Sequence, residues 1–160
     1  MNWYEKNAEF NALIKQLFHD NDWQKRAEAA RQLGLLKDGR ATNLMCRALR
    51  SEKDHTVINK IIEALGRIGD GRSTLRIIEK LKEEQEKNEI DKFRVIYIIE
   101  SLIRIRDKRA LSYLGSLLDS SDEDIKNLTI QAFNVIEPKW QEIIERERNK
   151  SIQEIFKTNE

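Results

Sequence analysis

Long hydrophobic runs are missing from this 160-residue chain. The longest, residues 95–99, is interrupted by Tyr97. It falls far short of the roughly 20 apolar residues a spanning helix needs, so no membrane span is expected. The single cysteine, Cys46, excludes an internal disulfide and a cysteine-based zinc site, and it fits a reducing compartment. The N-terminus, Met1-Asn2-Trp3-Tyr4-Glu5-Lys6, lacks the basic start and apolar centre of a secretory signal, so cytoplasmic residence is expected. Net charge is small as well, because 29 basic and 28 acidic side chains leave +1. Proteins that hold nucleic acid by its backbone concentrate Lys and Arg on one face, and bulk charge shows no such excess here. The two histidines, His19 and His55, stand far apart in the sequence. Glycine-rich phosphate loops, Gly-x-Ser-x-Gly elbows and His-Glu-x-x-His motifs are all lacking. No catalytic residues, metal or cofactor are therefore expected.

What the chain does have is an internal repeat. Ala29-Ala30-Arg31-Gln32-Leu33-Gly34-Leu35-Leu36-Lys37-Asp38-Gly39-Arg40-Ala41 is echoed by Ile61-Ile62-Glu63-Ala64-Leu65-Gly66-Arg67-Ile68-Gly69-Asp70-Gly71-Arg72-Ser73. A third copy runs Ile98-Ile99-Glu100-Ser101-Leu102-Ile103-Arg104-Ile105-Arg106-Asp107-Lys108-Arg109-Ala110, and a degraded fourth surrounds Phe133 and ends at Pro138. The anchors Leu33, Leu65, Leu102 and Phe133 are 32, 37 and 31 residues apart, which suits units made of two helices. Apolar residues at helical spacing give each unit a first helix, and the stripes Met45/Ile77/Leu114 and Leu49/Leu81/Leu118 give it a second. Gly34 and Gly66 are read as ending the first helices. Asn21 or Asp22, Asp54, and Ser120 with Glu123 are read as starting them.

These features resemble the HEAT repeat, in particular its short bilin-lyase-like variety, over about residues 22–136. The resemblance implies an all-α fold, a right-handed α-α superhelix of about four helical-hairpin repeats with terminal capping helices. The expected units are a cap at 1–20, repeats at 22–53, 54–88, 89–120 and 121–148, and a tail at 149–160. It also implies a role for the recurring pairs Asp38/Arg40, Asp70/Arg72 and Asp107/Arg109. Each carboxylate is expected to bond turn amides and the guanidinium of a neighbouring repeat, which makes a structural ladder rather than a site.

The N-terminal stretch places Trp3, Phe10, Leu13, Ile14, Leu17 and Phe18 on one helical face, as a cap would. After Pro138, the residues Trp140, Ile143, Ile144, Ile152, Ile155 and Phe156 form a second stripe. Its end is expected to cap the stack or, alternatively, to join a second copy as a homo-oligomer. The long second spacing is attributed to residues 80–89, read as a solvated, lengthened helix with a partner-contacting ridge as the alternative.

The function expected is a non-enzymatic, protein-binding scaffold, adaptor or assembly factor. Second helices are expected to line the concave side and to present Asn43, Arg47, Arg50, Glu79, Lys82, Ser112, Ser116 and Asp119, a face of mixed charge that suits a protein partner. Two other classes follow from the resemblance. HEAT-like DNA glycosylases use aromatic residues, which directs attention to Trp3, Trp23 and Trp140. Bilin lyases handle a tetrapyrrole, which raises Cys46 as a carrier, although no histidine stands near it in the sequence to activate it.

Overall fold

Four helices of 14 residues recur because the same apolar spacing recurs: α2 (Trp23–Leu36), α4 (His55–Ile68), α6 (Lys92–Ile105) and α8 (Glu123–Ile136). The computed structural model describes residues 1–158, and Asn159 and Glu160 of the expected tail lie outside the described residues. The remaining helices are α1 (Trp3–His19), α3 (Ala41–Ser51), α5 (Thr74–Gln85), α7 (Leu111–Leu114), α9 (Trp140–Arg146) and α10 (Ile152–Ile155). Among the described residues there is no strand, and no helix is long and apolar enough to cross a membrane. The chain is thus a stack of helical pairs.

The first helices pack in the order α2, α4, α6, α8, while α3 and α5 lie alongside and supply the second stripe. All four anchors, Leu33, Leu65, Leu102 and Phe133, are shut off from solvent, as are Met45, Ile77 and Leu114 of the second stripe. One continuous core therefore runs the length of the stack, which no single repeat could bury alone. Helix starts are fixed by aspartates. Asp22 accepts from Gln24 N, Asp54 from Thr56 and Val57 N, and Asp91 from Phe93 and Arg94 N. At α8 the cap is Asp122 rather than Ser120, whose hydroxyl instead accepts from the Asp122 amide.

Gly34 and Gly66 do not end helices. Each lies inside its helix two residues before the last one, and the left-handed positions that follow are Lys37, Gly69 and Arg106. The glycines are there for proximity. A Cβ at Gly34 would stand 2.8 Å from Ala64 Cα, and one at Gly66 would stand 2.8 Å from Ser101 Cα. Only a hydrogen lets these backbones approach so closely.

Both ends are closed by the chain itself. In α1, Phe10 and Leu17 are buried and Leu13, Ile14 and Phe18 pack on the core, but Trp3 is 66% exposed beside Tyr4. The helix begins a turn before the first repeat can cover it, so Trp3 shares the face without a surface to meet. At the other end Phe156 is buried with its ring 5.4 Å from that of Phe133, and Trp140 lies against the same ring at 5.3 Å. Ile152 sits over Gly115, where an added Cβ would come within 2.6 Å of Ile152 Cγ2. That seat coincides with a break in the third second helix, which stops at Leu114 and continues as a 3-10 segment, Gly115–Asp119. The apolar residues of the tail are therefore engaged within the chain.

The extra residues of the second unit do not form a solvated helix extension. Helix α5 ends at Gln85, and a connection follows that is anchored from inside. Glu84, 1% exposed, accepts from the Asp91 amide at 2.6 Å and from Lys87 Nζ at 2.8 Å. Burying a carboxylate is costly unless it is fully bonded, and here both oxygens are used. Ile90 of the connection and Phe93 in the first turn of α6 are exposed.

Candidate functional site

The Asp-x-Arg pairs differ in detail from the expected ladder. Each Asp holds its own unit: Asp38, Asp70 and Asp107 accept from the amides of Arg40, Arg72 and Arg109 and from the guanidiniums of the same arginines. The link between units comes chiefly from the arginine, with Asp70 also accepting from Thr42 Oγ1 of the first unit at 3.4 Å. Arg72 Nη2 donates to Gly39 O at 3.1 Å, and Arg109 Nη2 donates to Gly71 O at 2.9 Å. A two-residue spacing brings the guanidinium back onto its own carboxylate, which leaves one outer nitrogen to reach the preceding turn. Arg40 has no earlier turn, so it donates to Asn7 of α1 at 2.8 Å and lies over the Phe10 ring. The fourth unit replaces this joint with Lys108 Nζ on Glu137 at 3.0 Å.

The guanidinium of Arg40 holds the Asp38 carboxyl below the ordinary range, and that of Arg72 does the same at Asp70. At Asp107 burial is the largest influence and opposes ionisation, but the bonds from Arg109 outweigh it. All three pairs have a fixed structural use.

The expected partner-binding residues separate into two groups. Asn43, Arg47 and Arg50 of α3 face Arg72 of the 3-10 turn before α5 and Arg76 in its first turn, and together with Cys46 they line a groove of about 310 Å³. Glu79 belongs to this end. Its carboxylate receives Arg50 Nη2 at 3.0 Å and Arg76 Nη1 at 2.6 Å, and the Arg50 bond is the main reason its carboxyl sits below the ordinary range. Lys82 lies further along with its ammonium 4.6 Å from the centre of the Tyr113 ring. Ser112 is half-buried on α7, and Ser116 and Asp119 are exposed on the 3-10 segment.

Arg72 and Arg76 were not among the residues expected here. Arg72 had been assigned wholly to the ladder, and Arg76 occupies the position that Leu44 holds in the first unit. The available signal was their four-residue spacing, which puts both on one helical face.

The residues raised by the other function classes are dispersed or enclosed. Burial pushes the Cys46 thiol up, away from nucleophilic use, although the nearby Arg76 guanidinium pulls the other way. Trp140 donates its Nε1 to Asn134 at 2.7 Å within the C-terminal cap, while Trp23 is partly exposed at the start of α2. His55 Nδ1 lies 3.2 Å from Nη2 of the buried Arg94, whose Nε donates to Asn59. Among the described residues, no group of three or more His, Cys, Asp or Glu is placed to hold a metal ion.

Comparison with known proteins gives one finding. A family model described as HEAT repeats matches residues 10–90, from the middle of α1 through α5. No curated protein matches the chain.

Proposed function

Because the chain belongs to the HEAT-repeat family, we propose that it is a non-enzymatic adaptor or assembly factor that holds a protein partner on its row of second helices. HEAT repeats generally mediate protein interactions, and the single observation that supports this surface is how its charge is arranged. On the first helices α2 and α4, neighbouring charges pair along the helix, as in Glu28 with Arg31 at 2.7 Å and Glu63 with Lys60 and Arg67 at 3.9 and 3.8 Å. On α3, by contrast, no acid among the described residues pairs with the exposed Arg47. An unpaired charge on a rigid frame gives a partner something to bind at little cost in ordering.

Affinity capture from the source cells with the intact chain tests the assignment. Arg50→Glu with Ser116→Glu should abolish capture of the protein partner, whereas Arg31→Glu on the first-helix row should not. Recovery of nucleic acid alone, released by salt, would refute the reading.

A further inference from the structure

We infer that the groove between α3 and α5 is a specific receptor for an oxyanion-bearing side chain, a carboxylate or phosphate, on an acidic segment of the protein partner. The inference rests on the scaffold reading and deepens it. Four guanidiniums, those of Arg47, Arg50, Arg72 and Arg76, line one groove, and two carboxylates beside it bond them, Asp70 on Arg72 and Glu79 on Arg50 and Arg76. Two positive charges are left in excess. Like charges gathered this way repel one another, and the fold relieves them only in part, through Asp70 on Arg72 and Glu79 shared between Arg50 and Arg76.

The guanidiniums are also pre-positioned. Arg72 is held by Asp70 Oδ2 and Gly39 O, and Arg50 and Arg76 both donate to Glu79 Oε1. These bonds use only some of the five donors each guanidinium carries, so the remainder are available to a ligand. Arg47, on the wall contributed by α3, keeps its whole fork. A planar fork pairs bidentately with a carboxylate or phosphate. The floor is the buried Cys46, a small side chain that leaves depth for the anion.

The partner's class follows from how short this positive region is. A nucleic-acid backbone presents a charge at every step and needs a basic track to match. Here the positive surface is confined to the joint between the first two units, since the row continues through Lys82, whose ammonium lies over the Tyr113 ring, to Ser112, Ser116 and Asp119. One or two anionic side chains of a peptide fit that extent, and a polynucleotide does not.

The intact chain labelled with nitrogen-15 is titrated with two probes, hexaglutamate and a glycine-flanked peptide carrying two phosphoserines. Shifts of the arginine Nε–H signals are followed by NMR. Both probes should move the signals of Arg47, Arg50, Arg72 and Arg76 and leave that of Arg104 on α6 in place. Tighter binding of the phosphopeptide identifies phosphate as the natural anion, and equal or weaker binding identifies carboxylate. Arg47→Gln and Arg76→Gln should each weaken binding about ten-fold, as expected when a charge-assisted bond is lost, whereas Arg104→Gln should leave it unchanged. The inference is overturned if Arg104 shifts as much as the groove arginines, if the two groove variants bind as tightly as the parent, or if a single-stranded oligonucleotide of equal charge binds there more tightly than either peptide. Capture of the same protein partner by the Arg47→Gln/Arg76→Gln double variant at undiminished yield would overturn the groove inference while leaving the scaffold reading intact.

Discussion

Replacing Gly66 by Ala sets helix propensity directly against packing. In an exposed helix the change would stabilise by about 1 kcal/mol. Here the new Cβ would stand 2.7 Å from Ser101 Oγ and 2.8 Å from both Ser101 Cα and Cβ. Carbon atoms prefer separations from about 3.5 Å, so α4 and α6 must part by roughly 0.7 Å. The atoms in the way include backbone, which cannot swing aside as a flexible side chain would. Overpacking of this kind costs about 1–3 kcal/mol. Displacing Ser101 also disturbs its buried bond to Ile62 O, 2.8 Å long, worth about 1 kcal/mol. The net expectation is a loss of about 1–3 kcal/mol. For a chain of this size that corresponds to a fall in Tm of roughly 3–9 °C. Urea unfolding followed by far-ultraviolet circular dichroism measures it. Adding Ser101→Gly removes two of the three close atoms, so the double variant should lose less than the sum of the single changes. A Gly66→Ala protein as stable as the parent, or more so, would refute the close-approach argument and restore the view that this glycine only marks a helix end.

Arg26→Ala should cost about 2 kcal/mol, measured by the same urea assay. Arg26 forks onto Glu52 at 3.0 and 3.1 Å and donates to Asp20 O at 2.8 Å, tying α2 to both neighbours. Phe156→Ala should cost about 3 kcal/mol by opening the aromatic cluster around Phe133. Its Tm should not change on dilution if the tail caps its own stack, and a concentration-dependent Tm would point to a second copy instead. Stability should fall as pH drops through the carboxylate range. Asp38, Asp70 and Asp107 titrate below their unfolded values, so the unfolded chain takes up more protons there than the folded one. Asp70→Asn should flatten that part of the stability-versus-pH curve, and an unchanged slope would show that the ladder contributes nothing to it. Glu84→Gln should speed hydrogen exchange at the Asp91 amide, which donates to the buried carboxylate, while leaving α4 protected.

The repeat itself could be read from the chain. Spacings of 32, 37 and 31 residues between Leu33, Leu65, Leu102 and Phe133 correspond to four first helices of equal length, and the stripe through Met45, Ile77 and Leu114 is buried as its periodicity required. Periodicity reports which face of a helix avoids water, and that depends on the segment alone. Which atoms meet across the stack depends on the offset and rotation of helices about thirty residues apart. That is why Gly34 and Gly66 read as helix ends although they are contact points, and why Trp3 read as buried although it lies beyond the surface that would cover it. It also explains Glu84, whose charge pattern looked like a solvated face until the loop it holds was in place.

The candidate site divides along the same line. Arg47 and Arg50 could be named from one helix, because their positions relative to Met45 and Leu49 set them outward. Arg72 and Arg76 joined them only once α5 was laid beside α3. The amino-acid sequence determined that this protein is a stack of helical pairs, because local apolar spacing and turn residues suffice to specify each pair. Tertiary structure alone decided that four arginines from two units share one groove, since a charge cluster arises from the distance between helices, and no single segment encodes that distance.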